Sequence, residues 1–198
     1  MGGRGGTSHR ASGGGLSFLG ERKSAFSLTD SVRLANPLYS RGNEWQINCQ
    51  RCVFAYELLR RGYDVEAKPV PTDGSYDPLP FRSRSDGWTS LMSGMSNHKF
   101  DRTSGKTQLQ DAIDTMKDWG AGARAIIAVQ WRSGGGHVFI AETTSSGSVR
   151  FVDPQPGRLN VTHYFDQAKP EWTELYRTDT ATPTERLDLA VKKKKRRS

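Results

Sequence analysis

Apolar residues recur at helical spacing in three stretches of the chain. Residues 107–122 show a clear helical period, and a shorter helix is predicted within residues 24–40 that ends before Pro37. Residues 50–61 are also predicted to form a helix, which Gly62 is suited to end. The side chains that share its apolar face are Cys52, Ala55, Tyr56 and Leu59.

The periodicity changes to that of strands after residue 122. Apolar runs separated by Gly and Ser predict strands within residues 123–131, 136–143, 148–154 and 171–179. A short strand is predicted at residues 63–69, and residues 69–87, rich in Pro, Gly and Ser, are predicted to be a long loop. Helices that precede a run of antiparallel strands are typical of an α+β fold.

The two ends of the chain differ in composition from its middle. Residues 1–23 are rich in Gly, Ser and Arg, and residues 181–198 are polar and then basic, so both are predicted to be disordered around one domain at 24–180. The net charge is +8, but six positive charges lie in residues 192–197, which leaves +2 for the remainder. If the chain contacts nucleic acid or another anionic surface, this tail is therefore expected to make the contact. An equal alternative is that the tail is only a solvated, solubilising end.

No segment of the sequence resembles a secretory signal or a membrane span. The N-terminus lacks an apolar core of signal length, and no apolar run approaches the roughly 20 residues that cross a bilayer. Two cysteines are too few for a disulfide framework. The chain is expected to be made in, and soluble in, a reducing cytoplasm, with delivery to a target cell or packaging in a virion left open.

The only two cysteines, Cys49 and Cys52, allow three interpretations. A zinc site needs four ligands arranged together, and no two of the four histidines lie within five residues of each other: His9, His98, His137 and His163. A thioredoxin-like pair follows a buried parallel strand, which the sequence does not predict here. Neither a metal nor a cofactor is therefore expected. Two interpretations remain. Cys52, which shares the apolar face, is a candidate for burial in the core, and either cysteine is a candidate nucleophile.

A nucleophilic cysteine needs a stabilised thiolate, a base, and a group that orients the base. The start of the helix at 50–61 favours a thiolate through its free N–H groups and its dipole. His137 follows three glycines at the start of one predicted strand, and Asp153 ends the next. Neighbouring strands lie about 5 Å apart, so the carboxylate is expected beside the imidazole, where it would fix the tautomer of the base.

Three short motifs carry a resemblance to a known family. The segments "NCQRCVFAYELLRRG", "GGGHVFIAE" and "VRFVDPQPG" resemble the papain-fold toxin family of glutamine deamidases, found in bacterial polymorphic toxins and phage-associated proteins. The resemblance covers roughly residues 45–177 and leaves both ends outside. It implies a papain-like cysteine-hydrolase core, in which an N-terminal helix with the nucleophile packs on an antiparallel sheet that carries the histidine and the acid.

Matched residue by residue, the resemblance implies a nucleophile at Cys49, which follows Asn48, a general base at His137 and an orienting acid at Asp153. Gln155 matches a recurring polar position of the family. The backbone N–H of Cys49 is expected to donate to the oxyanion of the reaction.

A second alignment assigns the two cysteines differently. The plant-papain spacing Gln-x-x-Cys-x-x-Cys fits Gln46, Cys49 and Cys52. It makes Cys52 the nucleophile and Gln46 an oxyanion donor. Cys49 is preferred because it follows Asn48 at the mouth of the helix, whereas Cys52 lies one turn further in with the apolar face.

Three functions are compatible with these residues. The first is a protein-glutamine deamidase that acts as a toxin or effector through an acyl-enzyme, with a protein substrate and a candidate immunity protein as partners. The second is a cysteine protease or transglutaminase of the same fold, since the chemistry up to the acyl-enzyme is shared. The third is a non-catalytic, phage- or virion-associated binding protein, against which the complete Cys–His–Asp set argues.

Overall fold

The computed structural model describes residues 16–80 and 87–194. Five α-helices lie in these residues: α1 (Leu28–Ala35), α2 (Asn43–Gln46), α3 (Cys49–Arg60), α4 (Gln108–Trp119) and α5 (Tyr164–Gln167). The strands in them are β1 (Val65–Ala67), β2 (Met92–Ser93), β3 (Asn97–Lys99), β4 (Arg124–Gln130), β5 (Gly136–Thr143), β6 (Val149–Val152), β7 (Glu174–Arg177), β8 (Thr182–Pro183) and β9 (Val191–Lys193).

The helix predicted at residues 50–61 is confirmed as α3, the most deeply buried helix described. Every residue from Cys49 to Leu59 is buried, because the helix contacts α1 on one side and β5 on the other. Gly62 follows the helix with φ of 90°. A Cβ atom at this position would lie 2.0 Å from the carbonyl oxygen of Lys23, so the chain can turn away from α3 here only with glycine.

The main sheet has the strand order β3-β7-β4-β5-β6, and all of its neighbouring pairs are antiparallel. The strands β4, β5 and β6 follow one another as hairpins, as the sequence predicts. The last predicted strand, β7, instead pairs with the free edge of β4, because the chain crosses back through α5 before it enters the sheet. The result is an α+β fold in which α3 packs against an antiparallel sheet.

Apolar side chains are buried on both faces of this sheet. Ile126 of β4 and Ile140 of β5 belong to one cluster, together with Cys52 of α3. Ile127 and Phe139, their neighbours along the strands, belong to a second cluster that contains the buried side of α4. The alternation of strand side chains between two faces therefore places α3 and α4 on opposite sides of one sheet. Within the described residues, no helix combines the length and apolar character needed to cross a membrane.

The segment predicted as a polar tail from residue 181 is folded as far as Lys194. β8 pairs with β2, and β9 pairs with β1, while Leu187 and Val191 are buried in the core. At the other end, Leu19 is also buried, although it falls within the predicted flexible residues 1–23. Strands of two or three residues are too short to show a period, which is why composition alone placed these segments outside the domain. The predictions for residues 1–15 and 195–198 concern parts of the chain outside the described residues.

A buried ion network joins α3 to the sheet at the far end of the helix from Cys49. Glu57 is 0% exposed and accepts hydrogen bonds from Arg61 at 2.7 Å, from Arg124 at 2.8 Å and from the hydroxyl of Thr178 at 3.0 Å. The buried carboxylate is thus fully hydrogen-bonded, and the two guanidinium groups share it as a counter-charge.

Glu57→Gln is expected to destabilise the fold by about 3–5 kcal/mol, because it leaves two guanidinium groups without their buried counter-charge. Urea unfolding at neutral pH measures this loss. Glu171→Gln, at an exposed position, is the matched control and is expected to change the free energy of unfolding by less than about 0.5 kcal/mol. Equal stability of the two variants would contradict a stabilising network.

Candidate active site

Cys49 is the first residue of α3, where the helix presents free backbone N–H groups. Asn48 precedes it as the N-cap residue and makes no side-chain cap hydrogen bond, so the first N–H groups have no acceptor within the helix. Cys49 is 7% exposed. Free N–H groups and the positive end of a helix dipole attract negative charge, and Cys49 is the residue at this end of α3.

His137 and Asp153 lie side by side at one end of the pair β5–β6. His137 is the second residue of β5, and Asp153 directly follows β6. His137 Nε2 and Asp153 Oδ2 are 2.8 Å apart, and both residues are buried. Trp131, just after β4, stacks on the imidazole with the ring centroids 5.7 Å apart. The hairpin therefore holds the imidazole between a carboxylate and an aromatic ring.

The protonation of His137 depends on both Asp153 and Cys49. Burial opposes a charge on the imidazole, but hydrogen bonding with Asp153 and with Cys49 outweighs it and raises the pKa of His137 to about 10. Because Asp153 occupies Nε2, Nδ1 is the nitrogen left to face Cys49. At neutral pH the imidazole is therefore protonated, and its positive charge lies beside the sulfur atom of Cys49.

Asp153 accepts hydrogen bonds from three donors. Besides His137, the hydroxyl of Tyr164 donates to Oδ2 at 3.0 Å, and the backbone N–H of Gln155 donates to Oδ1 at 2.9 Å. Burial, followed by the charge and the hydrogen bond of Asp153, raises the pKa of Tyr164 to about 12. The hydroxyl thus remains a donor at physiological pH, and the carboxylate is held in one orientation.

Tyr164→Phe is expected to lower the free energy of unfolding by about 1.5–3 kcal/mol, since it removes a buried hydrogen bond to a charged group. Chemical denaturation at neutral pH measures the change. Tyr76→Phe, at a tyrosine that is 79% exposed, is the matched control and should leave the stability unaltered. A Tyr164→Phe protein as stable as this control would show that the hydrogen bond contributes nothing.

A buried cluster of amide side chains connects the start of α3 to the loop after β6. Asn48 is 0% exposed, and its Oδ1 accepts from Asn36 Nδ2 at 3.3 Å and from Gln155 Nε2 at 3.5 Å. Asn36 Nδ2 also donates to the backbone carbonyl of Gln155 at 2.9 Å. Because Gln155 itself binds Asp153 through its backbone, the cluster fixes the position of the acid relative to the helix that carries Cys49.

Cys52 is buried beside the site rather than exposed in it. It is 0% exposed, and its thiol donates to Asn48 Oδ1 at 3.1 Å. Burial raises the pKa of the Cys52 thiol well above its ordinary value, and negative charge at Cys49 and Asp153 raises it further. Cys52 is therefore a neutral thiol that packs in the core, which favours Cys49 as the nucleophile.

The two glutamines nearest to Cys49 in the sequence, Gln46 and Gln50, have different partners. Gln46 is exposed, and its Nε2 donates to the backbone carbonyl of Tyr39 at 3.3 Å. Gln50, which the sequence reasoning did not consider, is buried and accepts a hydrogen bond from Cys49 Sγ at 3.3 Å.

Three further site residues were missed by the sequence reasoning: Asn36, Trp131 and Tyr164. Trp131 directly follows β4, the strand that pairs with the strand of His137, so the hairpin register could have found it. Asn36 and Tyr164 have no motif or period in the sequence that would have marked them.

The site brings together a thiol at a helix start, an imidazole with a raised pKa and a carboxylate with three donors. Groups of these three kinds are the ones that catalysis by a cysteine requires. Among the described residues, no group of three or more His, Cys, Asp or Glu side chains could hold a metal ion.

Among the comparisons with known proteins, a family model matches the chain. The model of a family described as papain fold toxin 1, glutamine deamidase, matches residues 47–158, which are more than half of the chain. The matched segment contains Cys49, His137 and Asp153. No curated protein and no solved structure matches the chain significantly.

Proposed function

This chain belongs to the papain fold toxin 1 family of glutamine deamidases, and we propose that it converts a glutamine side chain of a target protein to glutamate through the thiolate of Cys49. The observation that carries the proposal is the 2.8 Å contact between His137 and Asp153, beside Cys49, whose hydrogen bond also helps to raise the pKa of the imidazole. His137 acts as the proton carrier, and Asp153 orients it.

The first half of the reaction releases ammonia. The thiolate of Cys49 attacks the carbonyl carbon of the carboxamide, and the negative charge moves to the carbonyl oxygen, where the backbone N–H of Cys49 donates to it. The imidazolium of His137 then gives its proton to the amide nitrogen. The C–N bond breaks, ammonia leaves, and a thioester joins the substrate to Cys49.

The second half regenerates the enzyme with water. Neutral His137 takes a proton from a water molecule, whose oxygen attacks the thioester carbon. The C–S bond breaks, and the sulfur leaves as the thiolate beside the imidazolium that has just formed. The product is the glutamate side chain, and the enzyme has returned to its starting protonation state.

A toxin of this kind needs partners in two cells. We place the protein substrate in the cell that receives the toxin, and an immunity protein that blocks Cys49 in the cell that makes it. The basic residues 192–197 remain a candidate contact for nucleic acid or another anionic surface. Packaging in a virion also remains a prediction.

Mass spectrometry of a bacterial lysate treated with the wild-type chain tests this function. A deamidase is expected to convert particular glutamines to glutamate, with the mass increase of that conversion, and Cys49→Ala is expected to convert none. New peptide termini would instead indicate a protease, and glutamines joined to amines would indicate a transglutaminase. A lysate without any of these changes would favour the non-catalytic binding protein.

A further inference from the structure

The side chain of Gln50 is in direct contact with the sulfur atom of Cys49. The reaction described above gives this side chain no role. It is the second residue of α3 and is 7% exposed. Its Oε1 accepts the hydrogen bond of the Cys49 thiol, with Sγ and Oε1 3.3 Å apart. The carboxamide of Gln50 therefore lies beside the atom at which the substrate carbon must arrive.

The contact changes when Cys49 loses its proton. A thiolate has no hydrogen to donate, and a carboxamide oxygen that faces an anion is repelled. A glutamine side chain carries a donor group and an acceptor group at the same end, and rotation of its terminal torsion exchanges the two. With the imidazolium of His137 beside the sulfur, the arrangement favoured for the thiolate has Nε2 of Gln50 turned toward Sγ.

The same donor can reach the oxyanion of the reaction. The substrate oxygen is bonded to the carbon that Sγ attacks, so it lies close to the sulfur in the tetrahedral intermediate. Donors to an oxyanion are most effective at about 2.7–3.1 Å from its final position. A carboxamide already 3.3 Å from Sγ needs only a small adjustment to meet this distance.

The other two candidate glutamines have different partners. Gln46 Nε2 donates to the carbonyl of Tyr39, at an exposed position. Gln155 Nε2 faces Asn48 Oδ1 in the amide cluster. Neither side chain has a hydrogen bond to Cys49 among the described residues, whereas that of Gln50 does.

We propose that Gln50 is a catalytic residue whose Nε2 donates to the oxyanion of the substrate carboxamide, together with the backbone N–H of Cys49. This inference rests on the proposed deamidase function. It moves the side-chain donor, which the plant-papain spacing assigns to Gln46, to the residue that follows the nucleophile.

The test compares Gln50→Met with wild type on one defined probe. The probe is a synthetic copy of the glutamine-containing peptide that the wild-type chain converts fastest in a lysate, and the readout is ammonia release. Gln50→Met retains the length of the side chain but has no amide donor. Its kcat is expected to fall roughly 10²–10³-fold, with KM within about threefold of wild type.

Two substrate-free measurements separate this role from a structural one. Alkylation of Cys49 by iodoacetamide reports the thiolate, and thermal unfolding reports the fold. In Gln50→Met thermal unfolding is expected to stay close to wild type, and the alkylation rate is expected to change far less than kcat, because the helix start and His137 remain beside the sulfur. Gln110→Met, at an exposed glutamine of α4, is the matched control and should be unchanged in all three measurements.

Three results would overturn the inference. The first is a kcat of Gln50→Met within about threefold of the Gln110→Met control. The second is a loss of alkylation rate or of thermal stability that parallels the loss of kcat, which would make Gln50 a structural residue. The third is a loss of turnover in Gln46→Met with none in Gln50→Met. If the wild-type chain converts no glutamine at all, the proposed function itself fails, and this inference fails with it.

Discussion

Cys49→Ala is expected to lower glutamine conversion by roughly 10⁴-fold or more, since loss of a covalent nucleophile removes the whole acyl-enzyme route. Cys52→Ala is expected to retain turnover within about tenfold, because Cys52 contributes packing and one hydrogen bond, to Asn48. The two cysteines lie one helical turn apart, so the two variants compare the loss of the same thiol group at two positions along α3.

Alkylation measures the same difference without a substrate. Wild type and both variants are treated with iodoacetamide at about pH 6, where ordinary thiols react slowly, and the intact mass reports the labelled protein. Fast labelling is expected in wild type and Cys52→Ala and is expected to be absent in Cys49→Ala. Fast labelling that survives in Cys49→Ala and disappears in Cys52→Ala would assign the nucleophile to Cys52.

Asp153→Asn is expected to lower kcat by roughly 10²–10⁴-fold while leaving the fold intact. In wild type, hydrogen bonding with Asp153 helps raise the pKa of His137 to about 10, against the effect of burial. Asparagine lacks the charge that favours the imidazolium, so the pKa of His137 falls in the variant. The imidazolium then loses its proton at a lower pH, and Cys49 loses the positive charge beside it.

The pH profile of alkylation is the measurement for this prediction. Over the neutral part of the profile, alkylation of Cys49 is expected to be slower in Asp153→Asn than in wild type, because the variant lacks the positive charge on His137 beside the sulfur. Asp111→Asn is the matched control, since Asp111 pairs with His98 at 2.8 Å in a His–Asp contact separate from Cys49. Identical pH profiles of Asp153→Asn and wild type would contradict a role of Asp153 in the charge of His137.

The same shift has a consequence for stability. The pKa of His137 is raised in the folded protein above its ordinary value of 6.5. Its interactions therefore stabilise the fold fully below pH 6.5, and this contribution is lost as the pH rises through about 10. The difference in unfolding free energy between wild type and Asp153→Asn is expected to shrink as the pH rises through this window.

The parts of the site that follow from period and pairing could be predicted from the sequence. The apolar face of α3 predicts a helix at residues 50–61, one residue short of its start at Cys49, and the alternation of β5 and β6 places His137 beside Asp153. Both inferences depend on local geometry, since neighbouring strands lie at a set distance and a helix start always exposes N–H groups. The carboxylate and imidazole are accordingly in contact, 2.8 Å apart.

The contacts that connect distant segments could not be predicted in this way. Asn36 reaches Gln155 across 119 positions of sequence, and no local pattern encodes such a hydrogen bond. Tyr164 binds Asp153 from a helix of four residues, which is too short to show a period. Gln50 could not be predicted as a site residue, because its position next to Cys49 belongs to no motif or period. Only the structure shows that its side chain contacts the sulfur atom of Cys49.

Trapping of the acyl-enzyme tests the central claim most directly. The wild-type chain is mixed with a smaller amount of the glutamine-containing peptide that it converts fastest. The mixture is quenched with acid within the first turnover and digested for mass spectrometry. A thioester that joins the peptide, less ammonia, to the fragment containing Cys49 is the predicted result, located on Cys49 by fragmentation. Conversion of the peptide with the adduct on Cys52, or with no adduct at any quench time, would contradict a reaction through Cys49.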